Sequence, residues 1–201
     1  MDTRSWAIHA GPIYCLATGV LDGRAVITSA GADTTVRVWD LATGAAIGGP
    51  YLGHRDSVWS AALTELGGRA AAVSTGSDGT VQLWDLRTRQ LLADPGTGHD
   101  GVVWSVAVGH EQNRPVAASA GQDGTVRIWD LATCRPLGQP YTGHRGDVLA
   151  VTLTDLDGRP VVVSAGEDSS VHVWDLATRH PVGAPYKRHS GTVRCLAISA
   201  D

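Results

Sequence analysis

The sequence predicts an all-β fold: about four complete four-stranded antiparallel units in tandem, with partial strands at both ends. Three observations carry this. Trp-Asp occurs at Trp39-Asp40, Trp84-Asp85, Trp129-Asp130 and Trp174-Asp175, always 45 residues apart, so one supersecondary unit is copied in tandem. Short apolar runs with period two lie between Asp-Gly and Gly-x-Asp turn signals, and nothing has helical period. The 25 glycines suit a fold rich in tight turns.

Each unit reads as four strands. The first starts just after a repeated His, as in Val58-Trp59-Ser60-Ala61-Ala62-Leu63, and its imperfect alternation allows a bulge near its start. A turn such as Leu156-Asp157-Gly158-Arg159 follows, and Asp-Gly is a strong hairpin signal. The second strand is short and apolar, as in Val161-Val162-Val163-Ser164; small residues dominate its other copies, as close packing between sheets requires. A Gly-x-Asp turn, Gly121-Gln122-Asp123-Gly124, leads into the third strand, which alternates at Val126-Arg127-Ile128-Trp129. The Asp after the Trp opens another turn. The fourth strand then runs to Pro-Tyr, as in Leu137-Gly138-Gln139-Pro140-Tyr141. Proline is tolerated there because a fourth strand lies at a sheet edge.

The chain has 201 residues, 43% hydrophobic and 18% charged, which fits a globular protein with a sizeable core. A net charge of -4 disfavours a general electrostatic grip on nucleic acid or anionic lipid. No apolar run reaches the ~20 residues of a membrane helix, and residues 1–11 lack the pattern of a signal peptide. Cys15, Cys134 and Cys195 lack CxxC spacing, so buried free thiols in a reducing compartment are expected, and with them a cytoplasmic location.

Other residues keep the same step. His9, His54, His99, His144 and His189 recur, three of them after Gly53, Gly98 and Gly143. Ser29, Ser74, Ser119 and Ser164 recur with Asp33, Asp78, Asp123 and Asp168, and so do Arg24, Arg69, Arg114 and Arg159. Ser, His and Asp together invite a hydrolase reading. The set occurs four times, however, and no Gly-x-Ser-x-Gly surrounds any of the serines. Periodic histidines, one to a unit, lie too far apart to share a metal ion, so no metal or cofactor is expected. His110, His172 and His180 fall outside the pattern and are expected at the surface without a role. The repeated arginines follow hairpin turns and are expected to be solvated.

The Gly-His, Gly-x-Asp and Trp-Asp signatures at this spacing resemble the WD-repeat β-propeller family over essentially the whole chain. The Leu-Gly-x-Pro-Tyr-x-Gly-His linker is similar to that of large bacterial multi-repeat members. The resemblance implies blades of four strands around a central channel. It divides residues 1–201 into repeats of about 9–53, 54–98, 99–143 and 144–188, with the start of a fifth at 189–201. It also implies a hydrogen-bonded tetrad inside each blade: His9/Ser29/Asp33/Trp39, His54/Ser74/Asp78/Trp84, His99/Ser119/Asp123/Trp129 and His144/Ser164/Asp168/Trp174. Such polar groups between packed sheets must be paired.

Function is then expected where the copies differ. In the family, partners often dock on the face of the fourth-to-first-strand and second-to-third-strand loops. Three positions per repeat point there. The first gives Pro12, Ser57, Val102, Asp147 and Thr192; the second gives Tyr14, Trp59, Trp104, Leu149 and Arg194; the third gives Ala32, Ser77, Gln122 and Glu167. Tyr14, Trp59 and Trp104 would form an aromatic arc at the channel mouth, continued by Asp147, Gln122 and Glu167. The alternative is that these aromatics pack between blades. Residues 3–9 match a fourth strand and residues 195–201 a first strand, without the rest of their blades. Rings of the family most often have about seven blades. An open arc or incomplete ring is therefore expected, a fragment of a larger protein, with exposed apolar end faces prone to self-association. The function implied is a non-catalytic protein- or peptide-interaction scaffold. The rivals are a hydrolase with a channel-mouth site and a regulatory sensor domain of a kinase or NTPase. No phosphate-binding loop of the Gly-x-x-x-x-Gly-Lys-Ser/Thr type is present.

Overall fold

The computed structural model of the chain describes residues 9–198, in which only strands, turns and irregular segments occur. The expected strand at residues 3–9 lies outside the described residues, except for His9. Four antiparallel sheets follow one another along the chain. The first holds Ile13–Leu21, Arg24–Gly31, Thr35–Asp40 and Tyr51–Leu52. The second holds Val58–Leu66, Arg69–Gly76, Thr80–Asp85 and Gly96–Thr97. The third holds Val103–Glu111, Arg114–Gly121, Val126–Asp130 and Arg135–Pro136. The fourth holds Val148–Leu156, Arg159–Gly166 and Val171–Asp175, and its fourth position is taken by isolated bridges of Trp174 to Pro181 and Val171 to Tyr186.

Local chemistry explains these elements. Asp157 and Gly158 take φ of 53° and 77°, the left-handed pair of a tight hairpin turn. The first strands carry the expected bulge: the register shifts between Val58 and Ser60, and between Val148 and Ala150. The second strands are small and sealed, with Ala71, Ala72 and Val73 all 0% exposed.

The fourth strands differ from the expected continuous run. In the third unit, Arg135–Pro136 pairs beside Trp129, and Tyr141 then returns to Val126. Between them Gly138 takes a φ of 71°, and Pro140 has no N–H to add to the ladder. The other correction falls at residues 192–198, which form no strand. A first strand is held by the second strand of its own sheet. No such neighbour exists among the described residues, and only Val193 N–H reaches the fourth sheet, at Gly166 O, 3.0 Å away.

Each neighbouring pair of sheets shares one core. Val26, Val36, Val38 and Tyr51 of the first sheet meet Ala61, Ala72, Trp84 and Leu86 of the second. The same joint recurs between the second and third sheets and between the third and fourth. Polar bonds pin it: Tyr51 Oη donates to Leu86 O at 2.8 Å, and Tyr141 Oη to Asp175 O at 2.9 Å. Val106 N donates to Ser60 Oγ at 3.1 Å and Val151 N to Ser105 Oγ at 3.2 Å, joining successive first strands. No described core joins the fourth sheet to the first, so the array is an open arc. Its first strands lie side by side on the inner edge, and this aligns their starting residues.

Candidate interaction surface

Two sets of residues divide the molecule: the repeated polar groups and the variable positions at the strand starts. The repeated groups form a chain of hydrogen bonds inside every sheet. In the third, Trp129 Nε1 donates to Ser119 Oγ at 2.7 Å, Ser119 Oγ meets His99 Nε2 at 2.7 Å, and His99 Nδ1 meets both oxygens of Asp123 at 3.0 Å. The indole must donate, and the carboxylate must accept. That assigns the hydroxyl proton to His99 Nε2 and the ring proton to Nδ1. In the first sheet Trp39, Ser29, His9 and Asp33 are linked by bonds of 2.7, 2.7 and 2.8 Å. In the second Trp84, Ser74, His54 and Asp78 are linked at 2.8, 2.8 and 2.9 Å. In the fourth Trp174, Ser164, His144 and Asp168 are linked at 3.1, 2.8 and 3.1 Å.

All four serines are 0–1% exposed, so their hydroxyls face no solvent. The carboxylate at the other end ties down the loop. Asp33 accepts from Ala10 N at 2.9 Å and from Thr35 Oγ1 at 2.8 Å. Burial alone would raise its pKa, but the bonds from His9, Ala10 and Thr35 outweigh that and hold it down to about 2. Asp78, Asp123 and Asp168 are lowered by the same balance. The hydroxyl at Thr35, Thr80, Thr125 and Ser170 is a fifth member that the sequence reading missed. Its signal was visible, because a hydroxyl stands two residues after each repeated Asp. Glycine before the His also has a reason: a Cβ on Gly143 would lie 2.5 Å from the Trp174 ring.

The variable positions sit on the same side as the tetrad carboxylates, at the starts of the first strands. Tyr14 stacks on Trp59 with ring centroids 4.2 Å apart and planes at 13°. Trp59 meets Trp104 edge-on at 4.9 Å. The three rings pack on one another across sheets and remain partly open, with Tyr14 41% exposed. Trp59 Nε1 donates to Ser77 Oγ at 2.7 Å, and Trp104 Nε1 donates to Asp147 Oδ2 at 2.9 Å. Gln122 Oε1 accepts from Val102 N at 3.1 Å, and Glu167 Oε2 from Asp147 N at 3.3 Å. Ser57 and Leu149 are half-buried at the same level, while Arg194 is exposed in the irregular segment after the fourth sheet.

One histidine expectation needs correction. His110 and His180 are exposed, but His172 is buried, at 6%. It lies on the third-strand face shared with Trp174, with its ring 4.0 Å from that of His144. Burial, with the nearby His144 ring second, pushes its pKa down to about 4. The repeated arginines Arg24, Arg69, Arg114 and Arg159 are exposed, as expected, and two of them also reach a carboxylate. Arg114 Nε lies 3.5 Å from Asp130 and Arg159 Nε 3.3 Å from Asp175, across the second and third strands.

A cleft of about 310 Å³, bordered by Leu21, Asp22, Arg69 and Arg87, opens at the hairpin ends of the first two sheets. It lies a strand length, about 30 Å, from the aromatic arc.

Tandem four-stranded sheets, each locked by an indole–hydroxyl–imidazole–carboxylate chain, define an incomplete β-propeller. Within that class the model of the WD domain, G-beta repeat matches residues 3–40, 49–85, 92–130 and 135–175. The chain belongs to the WD-repeat family. No curated protein matches it at a significant level.

Proposed function

We propose that this chain is a non-catalytic docking module, part of a larger WD-repeat propeller, that takes a protein or peptide on the aromatic arc of Tyr14, Trp59 and Trp104. WD-repeat domains in general are protein-interaction scaffolds. The observation that carries the reading is a division of labour. The groups that repeat are consumed inside the sheets, whereas the groups that vary stand at the strand starts, half-open to solvent. Aromatic side chains fixed in position and flanked by Asp147, Gln122 and Glu167 are the kind that anchor interfaces. The hydrolase alternative loses support because each tetrad hydroxyl is sealed and already bonded.

The part-of-a-larger-ring reading rests on two apolar faces. Leu16 and Leu41 open one face of the first sheet, at 65% and 52% exposure, and Tyr186 opens the far face of the fourth, at 61%. Further sheets of the same kind are the natural cover; self-association of the isolated chain through these faces is the fallback, read by sedimentation. A reducing setting such as the cytoplasm fits the free thiols of Cys15 and Cys134, whose pKa values burial raises, although Cys195 is exposed and not buried as expected.

The docking reading is tested by selecting peptides on the chain from a displayed library. Selected peptides should bind W59A and W104A at least ~10-fold more weakly, since anchor truncations cost about 2 kcal/mol or more, with fold retained by circular dichroism. Peptides that bind both variants unchanged would move the site elsewhere.

A further inference from the structure

The fourth sheet breaks the repeat at one buried place. The third-strand position two before the Trp holds Arg37, Gln82 and Arg127 in the first three sheets and His172 in the fourth. The docking site makes no use of this residue. Its ring is wedged between His144, at 4.0 Å, and Trp174, at 5.5 Å.

We propose that His144, Asp168 and His172 form a binding site for a divalent transition-metal ion, with zinc as the committed occupant. One ring nitrogen of each histidine and a carboxylate oxygen of Asp168 lie within 4.8 Å of one another. Two imidazoles and a carboxylate are a zinc donor set, and three protein ligands leave a fourth position for water. Ligands around a tetrahedral zinc ion stand about 3.3 Å apart, given metal–ligand distances of about 2.0–2.1 Å. His144 Nδ1 and Asp168 Oδ2 are already 3.1 Å apart. His172, whose ligating nitrogen lies within 4.8 Å of the other two ligand atoms, has to draw closer to complete the set.

Several features of this sheet suit the site. The tetrad is looser here than elsewhere: His144 Nδ1 lies 3.1 and 3.2 Å from the Asp168 oxygens, against 2.8–3.0 Å in the other sheets, and the Trp174–Ser164 bond is 3.1 Å, against 2.7–2.8 Å. Ser170 replaces the threonine of the other sheets, which removes a methyl group beside His172, and its Oγ lies 2.9 Å from His172 Nε2. His144 is oriented from behind by Ser164 Oγ, 2.8 Å from Nε2. When Nδ1 binds zinc, the ring carries its proton on Nε2 and donates it to that hydroxyl, which reverses the direction this bond has in the metal-free tetrad and fixes the ring from behind. The Asp168 side chain is 14% exposed while that of His144 is 1% exposed, so the ion enters past the carboxylate, from the loop side. The charge of Lys187 reaches His172 and works against a cation there, and the Asp168 carboxylate offsets it.

The test uses the whole chain, titrated with zinc chloride by calorimetry and with cobalt(II) by visible absorption. Wild type should take up one ion and give the intense bands of four-coordinate cobalt. H172Q and H172R, which install the side chains found at this position in the second, first and third sheets, should fold and bind at least ~10-fold more weakly. Wild-type stoichiometry near zero overturns the proposal. So does binding retained in both variants, which would assign the ion to the exposed histidines.

Discussion

Tyr141 and Tyr186 hold the same place in the third and fourth sheets, yet the first is 4% exposed and the second 61%. Leu131 and Leu41 make the same contrast at the other end, at 1% and 52%. Residue type and local backbone do not differ; what differs is whether a neighbouring sheet stands opposite. Burial in this fold belongs to the joint between sheets rather than to the sheet, so stability passes along the array from neighbour to neighbour.

The widest gap should appear between equivalent leucines. L131A removes a side chain from a sealed joint and should cost about 2–5 kcal/mol in urea unfolding. L41A should fall within about 0.5 kcal/mol of wild type. Equal losses would mean that the outer face is covered in solution, and sedimentation would then show by what.

A subtler contrast sets the fourth sheet against the others, and pH exposes it. His172 has a folded pKa of about 4 against an ordinary 6.5, so between these values the unfolded chain binds a proton that the folded chain refuses. Stability must therefore fall as pH drops from about 6.5 toward 4. His99, lowered chiefly by burial and against the pull of Asp123, acts in the same direction. Asp33 adds a second step. Its stabilisation is full above the ordinary 3.8 and is lost as pH falls through about 2. Urea midpoints measured in metal-free buffer from pH 7 down to pH 1.5 should show both steps, with the upper one reduced in H172Q. An upper step unchanged in H172Q would mean that His172 titrates normally.

Much of this was legible before the fold was known, for a physical reason. Tetrad side chains meet the same partners in every copy, so their types recur and their step announces them. Asp157-Gly158 announced its hairpin because few residue pairs adopt positive φ so readily. Three things were hidden. The broken fourth strand depends on Gly138 and Pro140 acting together, and a run from Leu137 to Tyr141 reads as continuous until their backbone demands are imposed. The strand expected at 195–201 failed over its described residues because a ladder needs a partner, and pattern alone cannot supply one. His172 looked like surface because its position varies between copies; alternation from Trp174 put it on the tetrad face, and that was the signal available. The arc of Tyr14, Trp59 and Trp104 was legible only as alignment. That Ser77 and Asp147 hold the two indole N–H groups came from the geometry.

The central claim is that the 45-step polar residues bind each sheet together. Its most direct test is urea unfolding of H54A, H99A and H144A, made singly, alongside a panel of ester and amide substrates. Each variant strands a buried serine and an aspartate, so the three should lose similar stability, about 1–3 kcal/mol apiece, with no turnover in any of them or in the parent. Hydrolytic activity in the parent that one substitution alone abolishes, with unfolding unchanged, would contradict the claim outright.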